Sequence, residues 1–147
     1  MRLRPYRPSD LPTLYEIDQA CFPVGVSYSR EELEQFIAHR HSRTWVAEEG
    51  DAVVGFLVAG REPQHVGHII TVDVPERWRR RGVGKALMDA AEDWGKRQGL
   101  KLIYLETAAD NLAAQAFYRA RNYEKVERLD GYYANGTDAW VMVKWLE

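Results

Sequence analysis

Apolar and polar residues alternate along this chain in two rhythms, a period of two that marks strands and a recurrence every three or four positions that marks helices. Residues 2–7 read as a short first strand. Ser9 or Asp10 then offers a helix cap, Pro12 is acceptable in the first turn, and Leu14, Ile17 and Cys21 share one helical face. The helix is expected to stop near Phe22-Pro23. Ser29-Arg30-Glu31-Glu32 has the form of a capping box, and Leu33, Phe36 and Ile37 give the helix after it an apolar side. Residues 44–48 and 52–58 flank the turn signal Glu49-Gly50-Asp51 and predict a hairpin. Residues 68–74, rich in β-branched side chains, predict a further strand.

The rhythm then turns helical. Val83, Leu87, Ala90 and Trp94 recur at helical spacing, Lys85, Asp89, Glu92 and Lys96 lie elsewhere on the helix, and Gly99 is a fitting stop. Glu92 and Lys96 read as an i,i+4 ion pair. Residues 102–106 predict a buried strand, Asp110 a cap for a helix reaching about Arg121, and residues 123–129 and 138–145 two last strands around Asn135-Gly136. This order, βααβββαβαββ, predicts an α/β (α+β) three-layer sandwich. Its sheet is mixed, mostly antiparallel and twisted, with about seven strands, and about four helices flank it. The chain has no low-complexity linker or repeat, so one domain over residues 1–147 is expected.

Charge and composition narrow the partners. The 147 residues carry 20 Lys+Arg against 22 Asp+Glu, a net charge of −2, which speaks against a bulk nucleic-acid binder. No apolar run approaches the roughly 20 residues that span a bilayer, and the N-terminus lacks the apolar core of a signal peptide, so no membrane partner is expected. The single cysteine, Cys21, allows no internal disulfide and points to a reducing, cytoplasmic setting. His65 and His68 read as opposite-facing strand residues with no carboxylate or cysteine cluster, so no metal site is expected.

The near-zero total hides a local imbalance. Arg77, Arg79, Arg80, Arg81 and Lys85 gather around Gly82-Val83-Gly84 at one strand-to-helix junction. Glycines let a backbone approach a ligand, a helix N-terminus presents unpaired N–H groups, and arginines add charge-assisted bonds, a combination suited to a pyrophosphate. A solvated basic turn is the plainer alternative. A Walker A loop is excluded, because Ala86 stands where Ser or Thr would bind Mg²⁺.

Arg79-x-x-Gly82-x-Gly84 resembles the acetyl-CoA signature of the GNAT acetyltransferases. Leu105-Glu106-Thr107 followed by Asn111-x-x-Ala114-x-x-x-Tyr118-x-x-x-Asn122-Tyr123 resembles the family's second motif, with Asn122 and Tyr123 in place of Gly and Phe. The element order matches over nearly the whole chain. The resemblance implies acetyl-CoA as cofactor, with its pyrophosphate on the backbone of Arg80, Arg81, Gly82, Val83, Gly84 and Lys85. Val72, Asp73 and Val74 would meet the pantetheine arm along a splayed strand, Arg79 would join the loop, and Asn111 would also touch the cofactor.

Acetyl transfer needs a neutral amine, an oxyanion donor and a proton for the departing thiolate. A backbone N–H near Val74 is the implied oxyanion donor. Tyr118 is the candidate acid. It lies seven positions after Asn111, so both share a helix face, and a tyrosine at pKa about 10 is only about 1.5 units weaker as an acid than a thiol. Its alternative is a core aromatic beside Phe117. Glu106 is the candidate base, acting directly or through water; its alternative is a solvated strand-end carboxylate.

Gly131-Tyr132-Tyr133…Gly136-Thr137-Asp138-Ala139…Met142 and Cys21-Phe22-Pro23 are similar to protein N-terminal acetyltransferases, including the bacterial enzymes that acetylate a ribosomal protein. That likeness implies that Phe22, Tyr28, Tyr132 and Tyr133 flank an acceptor peptide and that a protein or peptide N-terminus is the acceptor amine. Hairpin packing is the alternative for the tyrosine pair. A small-molecule amine acetyltransferase or a non-catalytic acyl-CoA-binding module remain open as functions, and a monomer or a homodimer as assembly.

Overall fold

The structure, a computed structural model, describes residues 1–146; position 147 lies outside them. Seven strands and four α-helices follow one another as β1 (Arg2–Pro5), α1 (Leu11–Cys21), α2 (Arg30–Ala38), β2 (Ser42–Glu49), β3 (Ala52–Glu62), β4 (Val66–Asp73), α3 (Val83–Arg97), β5 (Leu102–Ala108), α4 (Leu112–Ala120), β6 (Glu124–Leu129) and β7 (Ala139–Trp145). The expected α/β sandwich is present. One sheet runs in the order β1-β2-β3-β4-β5-β7-β6, and β4–β5 is its single parallel pair.

Two apolar clusters on opposite faces of the sheet make the three layers. Leu11, Leu14 and Ile17 of α1 and Leu33 of α2 pack on Val46, Phe56 and Val58. Across the sheet, Val83, Leu87, Met88, Ala91 and Trp94 of α3 and Tyr118 of α4 pack on Trp45, Leu57, Ile69, Ile103 and Leu105. Each helix therefore buries one stripe against the sheet, as its sequence period requires.

Several boundaries differ from the sequence reading for physical reasons. Asp10 stands at the N-cap position of α1, but its carboxylate is taken elsewhere. It accepts two bonds from Arg4 at 2.8 Å and one from the Arg7 amide at 2.7 Å, and a 3-10 turn at Pro8–Asp10 precedes the helix. The cap of α4 is Asn111 rather than Asp110, with Oδ1 accepting from the Ala114 amide at 3.1 Å. The pairing of Glu92 with Lys96 is not made: Glu92 is buried and faces Arg121, Tyr123 and Lys144 instead. His65 lies in the turn before β4 with φ of 63°, not on the strand.

The capping box of α2 forms as read. The Glu32 amide donates to Ser29 Oγ at 3.1 Å and the Ser29 amide to Glu32 Oε1 at 2.9 Å. Ser29→Ala is expected to cost about 1 kcal/mol. Thermal unfolding should register this as a fall in Tm of about 2–4 °C. An unchanged Tm would mean that packing of Leu33 alone holds the helix.

Candidate functional site

The parallel seam decides where a ligand can enter. β4 and β5 pair with each other only over Val66↔Leu102, Gly67↔Ile103 and His68↔Tyr104, and beyond that each continues, to Asp73 and Ala108, paired only with its outer neighbour, β3 or β7. The splay expected around Val72 and Val74 is thus present, and its apex is the His68–Tyr104 pair. Their rings stack with centroids 4.3 Å apart and planes within 2°.

A bulge in β4 re-aims the side chains that follow. Val58 pairs with Thr71 and Ala59 with Ile69, so Ile70 is the extra residue. Ile69 and Val72 pack on the α3 side and Ile70 on the α1–α2 side, and Asp73 turns toward Asp18 and Cys21 of α1. Any part Asp73 plays toward a cofactor is therefore a main-chain one.

At the end of β4 the chain makes a 3-10 turn, Glu76–Trp78, before α3. Arg80 adopts φ of 62° and Gly82, the N-cap of α3, φ of 84°. The first helical bond is Ala86 N–H to Gly82 O, which leaves the N–H groups of Gly82, Val83, Gly84 and Lys85 without helical partners. A Cβ on Gly82 would meet nothing within 4 Å, so the flank is open to a ligand, while the φ excludes most side chains. Gly84 does a different job: a Cβ there would lie 3.4 Å from the Phe117 ring, so its smallness brings α3 onto α4. These four free donors at a positive helix end fit a pyrophosphate.

The arginines divide their labour. Arg79 Nε donates to the Val74 carbonyl at 2.8 Å, and Cys21 Sγ reaches the same oxygen at 3.5 Å. That carbonyl is fully occupied, so the N–H is the group Val74 could offer a ligand. Arg77 and Arg81 lie against the Trp78 ring at 5.9 and 5.1 Å. Arg79 thus braces the loop through Nε, which leaves the other N–H groups of its guanidinium uncommitted by that bond. Lys85 pairs with Asp89 at 2.8 Å. Asn111 spends Oδ1 on its cap, which leaves its NH₂ group as the polar end still open to a ligand.

Beyond the apex, Glu106 stands two residues after Tyr104 on the same face of β5. His68 Nε2 lies 2.7 Å from Glu106 Oε1, and His68 Nδ1 3.4 Å from Glu62 Oε2. With Glu106 as the acceptor, the proton of the short bond sits on Nε2. The Tyr104 hydroxyl donates to both Glu62 oxygens at 2.8–2.9 Å. The sequence reading denied His68 any carboxylate neighbours; β3 and β5 supply two. Among the described residues, no group of three or more His, Cys, Asp or Glu is arranged to hold a metal ion.

Tyrosines surround this pair. Burial, then its own neighbours, raises the pKa of Tyr28, Tyr104, Tyr132 and Tyr133, and the Glu106 charge contributes to all four. Every one stays a neutral donor at working pH. Tyr132 and Tyr133 meet edge-to-face at 4.9 Å, and Tyr28 packs on Phe36 at 5.1 Å. Phe22 ends α1, half-buried, and forms no ring pair with them among the described residues.

The loop after α1 and the β6–β7 loop close over the site. The Ala134 amide donates to Gly25 O at 3.1 Å and Asn135 Nδ2 to Val24 O at 3.2 Å. Gly25, at φ of 90°, is required there, since a Cβ would lie 2.6 Å from Asn135 Cβ.

Tyr118 is 8% exposed and sits edge-to-face with Phe117 and Tyr123 at 5.3 and 5.9 Å. The packing is that of a core aromatic, and the Asp73 and Tyr133 side chains act electrostatically on its hydroxyl. Burial, followed by those two neighbours, raises its pKa, so handing its proton to a thiolate costs more than the reference gap suggested. Burial also pushes the Cys21 thiol up to about 11, which removes it as a nucleophile near neutral pH.

Known proteins give this geometry a frame. The chain is 30% identical to an N-alpha-acetyltransferase of Saccharolobus solfataricus over 97% of its own length and 91% of the relative's. It is 32% identical to the N-alpha-acetyltransferase RimI of Mycobacterium tuberculosis over 72% of this chain and 68% of that one. The crystal structure of Ard1 from Thermoplasma volcanium superposes with a TM-score of 0.86 at 27% identity, covering 99% of this chain and 97% of that one. The sequence model of the Acetyltransferase (GNAT) family matches residues 11–123, which include the splayed strand, the glycine loop, Glu106 and Tyr118, and the chain belongs to that family.

Proposed function

We propose that this protein transfers the acetyl group of acetyl-CoA directly to the N-terminal α-amine of a protein or peptide. The observation that carries the reading is the Glu106–His68 pair at the mouth of the β4–β5 splay, ringed by Tyr28, Tyr132 and Tyr133 beneath two joined loops. Relatives named N-alpha-acetyltransferases support the same acceptor class.

Acetyl-CoA supplies an activated thioester. The N–H groups of Gly82, Val83, Gly84 and Lys85 hold its pyrophosphate, with Arg80 and Arg81 beside them. Val72 and Val74 present main-chain groups along the splay, and the Val74 N–H stabilises the oxyanion. Glu106, held by His68, accepts the proton of the incoming ammonium. The neutral amine would form the C–N bond, the C–S bond would break as the oxyanion collapses, and the nitrogen's surplus proton would pass to the leaving thiolate, with Tyr118, kept protonated by its raised pKa, donating a hydrogen bond toward the sulfur.

The energetics favour an α-amine. At pH 7 an α-amino group at pKa 7.7–8.0 costs about 1 kcal/mol to deprotonate, and a lysine at about 10.4 costs about 4.6 kcal/mol. A single glutamate is sufficient for the first. Among the described residues no helix is long and apolar enough to cross a membrane. The lone, half-buried Cys21 suits a reducing cytoplasmic setting.

The test is CoA release with peptides bearing a free N-terminus, compared with N-terminally blocked peptides carrying lysine, and mass spectrometry to locate the acetyl group. Free N-termini should be acetylated and blocked peptides should not. Turnover of small amines alone would assign the site to another acceptor. Tyr118→Phe should lower kcat by about 10²-fold or more with little change in peptide KM; a kcat near wild type would return Tyr118 to a packing role.

A further inference from the structure

Asp18, in the C-terminal half of α1, and Asp73, at the end of β4, form an acid pair that the transfer chemistry does not use. Asp18 is 0% exposed and Asp73 1% exposed. Asp18 Oδ2 accepts from the Tyr28 amide at 2.8 Å, and Asp73 Oδ1 accepts from the Thr71 hydroxyl. The other two oxygens, Asp18 Oδ1 and Asp73 Oδ2, are buried with no donor. The Asp18 side chain acts directly on the Asp73 carboxyl and raises its pKa. Ionised carboxylates only accept, so both oxygens stay unsatisfied while both groups are charged. One proton held between them satisfies both.

Asp73 is faced by Asp18 and Cys21 from α1, Thr71 from its own strand, Arg79 from the loop before α3, and Tyr118 from α4. Burial and then Asp18 hold its carboxyl well above the usual carboxylate range, against Thr71 and Arg79. Asp18 is further faced by the hydroxyl-bearing Tyr28 and by Cys21.

We propose that Asp18 and Asp73 share one proton across the seam between α1 and β4, and that this pair positions Tyr28, and with it the acceptor loop, over Glu106. The proposal rests on the acceptor reading above, in which Tyr28 flanks the incoming peptide. Tyr28 hangs from the last turns of α1 by both main-chain groups, since the Gln19 side-chain amide also donates to its carbonyl at 2.7 Å. Its hydroxyl reaches the Ile70 carbonyl at the β4 bulge at 3.3 Å. Asp18 therefore acts through Tyr28 and is a positioning residue.

Loss of the shared proton sets two negative charges side by side in a dry seam, and moving α1 off β4 relieves them. The sign follows from linkage. The folded pair keeps a proton that the unfolded carboxyls release near pH 4, so its stabilisation is complete at low pH. It is lost as pH rises through the raised folded value, and acceptor binding weakens on that same limb.

The experiment combines carboxyl-carbon NMR of Asp-labelled protein and the Tyr28 amide resonance with KM measurements across pH, in wild type, Asp18→Asn and Asp73→Asn. One Asp carboxyl should remain protonated at pH 7 in wild type and none in Asp73→Asn, while in Asp18→Asn the still-buried Asp73 carboxyl should titrate at a lower pH than in wild type. The Tyr28 amide should shift with the same midpoint in wild type and show no such titration in Asp73→Asn. Peptide KM should rise about tenfold across that midpoint in wild type, while acetyl-CoA KM stays within about threefold. Two Asp carboxyls titrating near their ordinary values would overturn the shared proton. A Tyr28 amide blind to the titration, or an acetyl-CoA KM moving in step with the peptide KM, would overturn the positioning role. If no peptide is turned over, the acceptor reading fails, and the two NMR readouts still decide the pair.

Discussion

Glu106→Gln is expected to lower kcat for acetyl transfer by about 10²–10⁴-fold, with acetyl-CoA KM changed only a few-fold. The substitution keeps the shape of the side chain and an oxygen for the 2.7 Å bond from His68 Nε2. It removes the ability to accept a proton. The carboxylate is only 16% exposed and stands among phenols that remain protonated, so the neighbours that could replace it as acceptor are His68 and water. Steady-state CoA release with a free-N-terminus peptide measures the loss. A His68→Ala companion separates the two roles: if His68 only orients Glu106, that variant should fall less. A Glu106→Gln enzyme retaining more than about a tenth of wild-type kcat would show that the proton leaves by another route.

The largest effect on stability is expected at Glu92. Its carboxylate, 6% exposed, accepts from the Tyr123 hydroxyl at 2.9 Å, Lys144 Nζ at 2.8 Å and Arg121 at 3.1 Å. Three side chains, two from the connection after α4 and one from β7, therefore converge on one buried charge. Glu92→Ala leaves Arg121 and Lys144 half-buried without their shared partner and should cost about 3–5 kcal/mol. Against a domain stability of about 5–15 kcal/mol that is a large share. Urea unfolding followed by tryptophan fluorescence should show the midpoint fall with an unchanged slope. The residual ion pair of Arg121 with Asp89, at 2.7 Å, limits the damage on one side only. A midpoint shift equivalent to less than about 1 kcal/mol would mean that both cations reach water once Glu92 is gone.

These two residues also show what the sequence could and could not disclose. Glu106 stands out in the sequence because a carboxylate follows an apolar strand run within a recognisable motif, although β5 continues past it to Ala108. The glycine loop was visible because charge, glycine spacing and a change of period met at one junction. The capping box at Ser29 was visible because all its partners lie within four positions.

Long-range partners were hidden. Glu92 matched Lys96 by helical spacing, but β7 and the end of α4 reach it first through Lys144, Arg121 and Tyr123. His68 looked isolated because Glu62 and Glu106 come from the two strands flanking β4, on either side of it in the sheet. A bulge at Ile70 reversed the facing of Thr71 and Asp73, and nothing in an alternating β-branched run announces where the extra residue falls. The cap at Asn111 rather than Asp110 is a one-residue slip between two equally good cappers, decided by where β5 ends.

The three-register seam between β4 and β5 has a consequence for how the chain reaches its native state. Strands β1 to β4 are joined in register order, β2 through β4 by tight turns, so most of their pairings close short loops at little entropic cost. β5 must travel back across the whole of α3 to make a parallel contact, the kind that forms slowly. Few backbone bonds reward that return, and the α3 packing supplies most of the gain. The cleft proposed to receive the thioester is thus also the place where the sheet's costliest connection closes.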